Sequence, residues 1–183
     1  MDIQGFVEQI DGEFGYRMLR PANWEPIHLG AVRGYRFAAS AAGEDRLLLT
    51  VGNLAVMAAQ ASAGTQVAPW VEFQQSDSLE AWMQQREAAW TQVAQSTGLS
   101  FERYMTLPNG AVYLLLLPEQ SLQLIAYLLD DGHPLTVSLE GFGAYVQRSK
   151  LEESGLSADF LTMLRSAQAI EPDVERIDPP LPQ

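Results

Sequence analysis

The chain contains no cysteine. That absence excludes disulfides, thiol nucleophiles, Cys-ligated zinc and iron–sulfur clusters. Lysine is nearly missing as well, since Lys150 is the only one among the 11 basic residues. The 2 histidines, His28 and His133, stand in no HExxH or related helical metal signature. No apolar run approaches the roughly 20 residues a membrane helix requires. Leu114–Leu117 and Leu122–Leu129 are short and are separated by Pro118-Glu119-Gln120-Ser121. The start, Met1-Asp2-Ile3-Gln4-Gly5-Phe6, has neither a basic n-region nor an apolar h-region, so it does not read as a signal peptide. The expectation is a soluble protein with no membrane-spanning segment. It would be cytoplasmic if the chain is complete, and periplasmic or extracellular if an export signal was removed.

What is present suits one folded unit. With 183 residues, 47% of them hydrophobic and 19% charged, the chain has ordinary globular composition. A chain of this length buries roughly 70% of the surface its unfolded form exposes, so it needs no covalent staple. Residues 1–171 are expected to form a single domain, and 172–183, rich in proline, a disordered tail. The 23 acidic against 11 basic residues give a formal charge of −12. Nucleic acid is disfavoured as a partner, because its affinity rests on neutralised phosphates. Anionic lipid is disfavoured for the same reason. Cationic partners are allowed, and the charge also keeps the chain soluble.

Alternation of side chains predicts a strand from Tyr16, ended by Pro21 and a turn at Ala22-Asn23 that leads into Trp24. Gly34–Ala38 and Leu47–Val51 suit two more strands. Leu54–Ala61 is compatible with a short helix, and Ser62–Gln75 reads as a long connection pinned by Trp70 and Phe73. Leu79–Thr97 is the clearest helix, capped by Asp77 or Ser78 and stopped by Gly98. Leu79, Trp82, Met83, Arg86, Trp90, Val93 and Ala94 share one face, and Arg86, the one charge in that stripe, is expected to snorkel past the two Trp rings. A meander follows: Phe101–Leu107, a Pro108-Asn109-Gly110 hairpin turn, Ala111–Leu117, Leu122–Leu129, a turn at Asp130-Asp131-Gly132, and Leu135–Leu139. Ser157 is expected to cap a last helix carrying Phe160, Leu161, Leu164 and Ala167, stopped by Pro172. The fold class is therefore α+β, an antiparallel sheet covered by two helices, without the βαβ rhythm of a parallel sheet.

The opening strand with its Pro-x-x-Trp close, Tyr16-Arg17-Met18-Leu19-Arg20-Pro21-Ala22-Asn23-Trp24, resembles the PsbP-like fold group, which also takes in Mog and DcrB-type proteins. The hairpin at Asn109-Gly110, the Leu122–Leu129 strand and the helix after Ser157 extend the resemblance over most of residues 12–171. It implies an αβα sandwich that works by binding other macromolecules, without catalysis. No photosystem-binding N-terminal segment or Ran-contact motif can be matched residue by residue.

The residues offer little chemistry. No Gly-x-Ser-x-Gly elbow occurs, and Gly141-Phe142-Gly143 leads to no Lys-Ser/Thr, so it is not a phosphate loop. Asp130-Asp131-Gly132-His133 could hold a cation, but Asp and Gly there also supply ordinary turn geometry. Ser138, Asp130 and His133 are neighbours in sequence, which does not by itself assemble a triad. Glu152-Glu153 most simply forms a solvated face. Trp82 and Trp90 could stack on a ligand or fill the core, and core is the commoner use of such a stripe. No catalytic, metal or cofactor residue is assigned, and no cofactor is expected. Trp24, Trp70, Phe73 and Tyr145 are the candidate partner-binding residues, on a loop-rich edge formed by Leu54–Phe73 and Gly141–Gly155. The expected role is a non-enzymatic accessory or protein-interaction domain. A small-molecule or lipid carrier and an enzyme with catalytic residues scattered in sequence are the alternatives.

Overall fold

The computed structural model describes residues 5–30, 32–38, 46–117 and 121–172. The chain runs through strands β1 (Phe6–Asp11), β2 (Tyr16–Pro21), β3 (Glu25–His28), β4 (Arg33–Ala38) and β5 (Arg46–Asn53). Helices α1 (Leu54–Gln60), α2 (Ala68–Gln74) and α3 (Leu79–Thr97) follow. Then come β6 (Ser100–Leu107), β7 (Gly110–Leu117), β8 (Ser121–Asp130) and β9 (His133–Phe142). A 3₁₀ turn (Gly143–Val146), α4 (Arg148–Glu153), α5 (Leu156–Ser166) and the short β10 (Gln168–Ala169) complete the order. The strands form two antiparallel sheets, a seven-stranded one ordered β3-β4-β5-β9-β8-β7-β6 and a three-stranded one ordered β1-β2-β10. The fold is α+β, with antiparallel sheets flanked by helices.

The large sheet separates two apolar clusters, because successive side chains on each strand point to opposite faces. On one face Leu47, Leu49, Val51, Val112, Leu124, Ala126, Leu128, Leu135, Val137 and Leu139 meet Tyr16 and Met18 of β2 and Phe160, Met163 and Leu164 of α5. On the other face Ala111, Tyr113, Leu115 and Tyr127 meet Leu54 of α1 and Trp82 and Met83 of α3. Burial on both faces explains why β7 reads GAVYLLLL and β8 SLQLIAYLLD, almost without polar interruption. The two sheets are bolted by the Tyr16 and Tyr35 hydroxyls, 2.7 Å apart. Burial pushes both phenols above their ordinary values, so both stay neutral. Asn53 adds a second tie: its Oδ1 accepts from Ala55 N–H at the start of α1, and its Nδ2 donates to the Gly15 carbonyl.

Several sequence expectations need correcting. Among the described residues there are two sheets where one was expected, and α2 and α4 add to the helices read at Leu54–Ala61, Leu79–Thr97 and after Ser157. β1 was not foreseen, because its burial follows no alternation, with Val7, Glu8 and Ile10 all exposed. It is strand only through its ladder to β2, where Phe6 faces Pro21 and Asp11 faces Tyr16. β3 was missed for Pro26, which is tolerated because β3 is an edge strand with β4 as its one neighbour. The expected connection at 62–75 contains α2, whose Pro69 sits at the helix start. Ser157 is no cap: Gly155, at φ 75°, occupies that position and Ser157 lies inside α5. α5 ends at Ser166, well before Pro172, because residues 168–169 leave the helix to pair with β2. Beyond Pro172, the proposed tail lies outside the described residues.

Other details agree with expectation. α3 spans Leu79–Thr97, Ser78 Oγ accepts from Ala81 N–H at 3.2 Å, and Gly98 adopts φ 75°. The Pro108–Gly110 turn joins β6 to β7, and the Asn109 carbonyl accepts from Leu129 N–H at 2.7 Å. Gly110 lies so close to β8 that an added Cβ would collide with the Tyr127 carbonyl and stand 3.0 Å from Leu128 Cα. Gly110→Ala is therefore expected to cost about 1–3 kcal/mol by forcing backbone apart. A fall in the urea midpoint with unchanged slope would show it, and an unchanged midpoint would refute the close approach.

Candidate binding groove

α3 packs on the sheet, touching β6 and β7. Its first turns are fully seated: Trp82 is 0% exposed, and its Nε1 donates to the Pro69 carbonyl of α2 at 3.1 Å. Trp70, Phe73, Trp82, Tyr127 and Tyr113 form a chain of rings with successive centroids 5.2–6.1 Å apart. This chain ties α2 to α3 and both to the sheet.

Arg86 sits one turn beyond Met83, buried with the stripe it interrupts. It does not snorkel to solvent. Its Nε lies 2.9 Å from Glu72 Oε2 on α2, and the two meet as charges, not in hydrogen-bond alignment. The guanidinium also lies 5.1 Å from the Tyr127 ring and 5.6 Å from the Trp90 ring. Burial pushes the Glu72 carboxyl above the ordinary carboxylate range, and the Arg86 charge pulls it partly back. Tyr127 is pushed up to about 12, chiefly by burial. Removing one partner of such a pair strands the other charge in the interior.

Beyond Arg86 the second half of α3 borders a groove. Trp90, Val93 and Thr97 of α3 form one wall. Leu99, just before β6, Leu115 and Leu117 at the end of β7, and Ser121 and Gln123 at the start of β8 complete the lining. The groove holds about 250 Å³, is open to solvent and is mostly apolar. Trp90 is half-buried, with its ring between the Arg86 guanidinium and this groove. Val93, 39% exposed, is one of the few large apolar side chains left in water.

The four residues singled out from the sequence do not converge here. Trp24 is 4% exposed and belongs to the core beside Tyr35, so it offers no ring to a partner. Trp70 and Phe73 are half-buried on α2 in the aromatic chain described above. Tyr145 lies on the opposite face of the sheet, over Gly141, in the 3₁₀ turn. The loop-rich edge expected at Leu54–Phe73 and Gly141–Gly155 is largely helical. The groove residues were half-legible: Trp90 and Val93 stood in the helical stripe, but nothing in the pattern told which end of α3 borders a groove.

The remaining candidates for chemistry resolve into structure. Ser138 Oγ lies 2.7 Å from Thr50 Oγ1 across β5 and β9, and His133 sits exposed at the far end of the same strand. No triad forms from them. Asp130 Oδ2 accepts from Ala169 N–H at 2.8 Å, while Asp131 (φ 47°) and Gly132 (φ 81°) make the β8–β9 hairpin turn. Among the described residues, no group of three or more His, Asp or Glu is placed to hold a metal ion. Asp11 and Glu13 both bind Arg33, at 2.8 and 3.2 Å.

No family model matches the chain, and no curated protein matches it. Among solved structures, the solution structure of cyanobacterial PsbP (CyanoP) from Synechocystis sp. PCC 6803 is similar over 91% of this chain and 94% of that one, with 14% sequence identity and a TM-score of 0.44. The match falls in the group that the sequence resembles, and says nothing about partners, ligands or catalysis.

Two predictions concern the buried pair. Arg86→Met is expected to destabilise by about 3–5 kcal/mol, and Arg86→Met with Glu72→Leu to recover most of that loss. Urea unfolding of the single and double variants tests this; additive losses would refute the coupling. The second concerns pH. Because the folded Glu72 carboxyl is raised, the unfolded chain releases that proton at lower pH than the folded chain does. The site's contribution therefore falls as pH rises from the ordinary carboxylate range to the raised value, and is level above it. Glu72→Gln removes that slope, so the stability difference between wild type and variant should vary with pH in the acid range. A constant difference would refute it.

Proposed function

We propose that this chain is a non-catalytic accessory domain that works by binding another protein, and that the groove between α3 and the ends of β6–β8 is its contact surface. The observation that carries this reading is an open apolar groove of about 250 Å³ walled by Trp90 and the exposed Val93. Its volume is small beside the roughly 300–1,000 Å³ of drug-sized ligand pockets. A groove of this size suits one or two large side chains of a partner, and half-buried aromatic residues are the usual anchors of such contacts. A carrier would use the same apolar lining, but it needs an enclosed cavity, and this groove is open. On the α2–α3 side of the groove the charged groups are engaged in structural pairs: Glu72 with Arg86, and Glu80 and Glu87 with Arg103.

Val93→Arg tests the reading, because it fills the groove from a position that contributes little to the core. Affinity capture from native extract with wild type should retain a stoichiometric protein partner. Val93→Arg should weaken that capture at least about tenfold, a loss of about 1.4 kcal/mol, without moving the urea midpoint. Ile10→Arg on the distant β1 should leave capture intact. Absence of a stoichiometric partner, or capture indifferent to Val93→Arg, would sink the reading.

A further inference from the structure

We infer that the occupant of this groove is an apolar protein segment flanked by Lys or Arg side chains; the inference rests on the reading of the groove as a protein contact. The cations on α3 and β6 near the groove are already engaged. Arg86 is buried against Glu72, and Arg103 is held by Glu87 at 2.6 Å and Glu80 at 3.4 Å. After Glu87, α3 carries no charged residue to its end at Thr97, and its last turn has no base. The negative end of a 19-residue helix dipole thus stands on the groove wall with no base in its own last turn.

The floor continues the same bias. One cross-strand row runs Phe101, Leu115, Gln123, Glu140, Leu48, Arg36, Glu25. Leu115 and Gln123 line the groove, and Glu140 is the next side chain along that row. α3 stands over β6 and β7, whereas Gln123, Glu140 and Leu48 remain half-exposed. Among the described residues Glu140 has no ion-pair partner, whereas Arg36 at the end of the row is paired with Glu25 at 2.9 Å. Arg46, two residues before Leu48, lies over the Phe142 ring at 4.4 Å. A segment seated here displaces water from an apolar trough next to a free carboxylate and a helix C-terminus. An acidic or neutral flank would leave both uncompensated; a Lys or Arg flank compensates them. A second copy of this chain, with its formal charge of −12, is the wrong partner for the same reason.

Fluorescein-labelled short peptides sharing one Leu-x-x-Trp anchor and flanked by Lys, Ser or Glu test the inference by anisotropy, using the full chain. The Lys-flanked peptide should bind at least about tenfold tighter than the Glu-flanked one, and its advantage should shrink as salt rises. Glu140→Gln should reduce the preference for Lys over Glu severalfold. Val93→Arg should abolish binding of the Lys-flanked peptide. Equal binding of all three peptides, binding of none, or a preference indifferent to both salt and Glu140→Gln would overturn the inference. Those results leave the contact reading standing if native capture still depends on Val93. Peptide binding and native capture both indifferent to Val93→Arg would remove the contact reading itself.

Discussion

The pairing of β5 with β9 holds the large sheet together. β3, β4 and β5 form one meander and β6–β9 another, and within the sheet they are joined through the β5–β9 ladder from Arg46–Phe142 to Asn53–Leu135. β5 and β9 are separated in sequence by the helices α1–α3 and by β6–β8. Their closure costs chain entropy that local contacts cannot offset. What offsets it is burial: Leu47, Leu49 and Val51 against Leu135, Val137 and Leu139, all at 0% exposure. On the other face of the same ladder, α1 packs so tightly that a Cβ on Gly52 would stand 2.5 Å from Met57 Sδ.

The groove follows from that arrangement. α3 is placed by its first half, where Trp82, Met83 and the Arg86–Glu72 pair fix it against α2 and the sheet. Its second half borders the groove, which Trp90 and Val93 line together with Leu115 and Gln123. The buried ion pair thus acts on the groove through the placement of one helix, and the Trp90 ring, packed on Arg86, connects the two.

Charge is used unevenly. Most arginines are committed inward or to neighbouring acids: Arg33 to Asp11 and Glu13, Arg103 to Glu80 and Glu87, Arg148 to Glu102 and Glu152. Arg20 is held by Gln9 and by the carbonyls of Pro21 and Trp24. The planar guanidinium can bridge two acceptors at once, which lysine cannot do with the same geometry. The acids left over, Glu140 among them, face outward, and the surface keeps its negative sign.

Local periodicity and turn chemistry by themselves determined the long elements: α3 with Ser78 and Gly98 at its ends, the Asn109-Gly110 and Asp131-Gly132 hairpins, and the apolar strands between them. Those signals are local, because caps and turns are set by residues within a few positions. β1, β3 and β10 were not legible, since an edge strand is defined by the neighbour it pairs with, and Val7, Ile10 and Pro26 carry no sign of that neighbour. Arg86 illustrates the same limit: the stripe showed a charge on an apolar face, but only the approach of Glu72 from α2 made it a buried pair. From the sequence, Trp24 was a candidate for a partner surface, and Trp90 stood in a helical stripe of the kind more often used in a core. Tertiary packing sent one to the core and left the other on the groove, because burial depends on what covers a residue, and that is decided by elements distant in the chain.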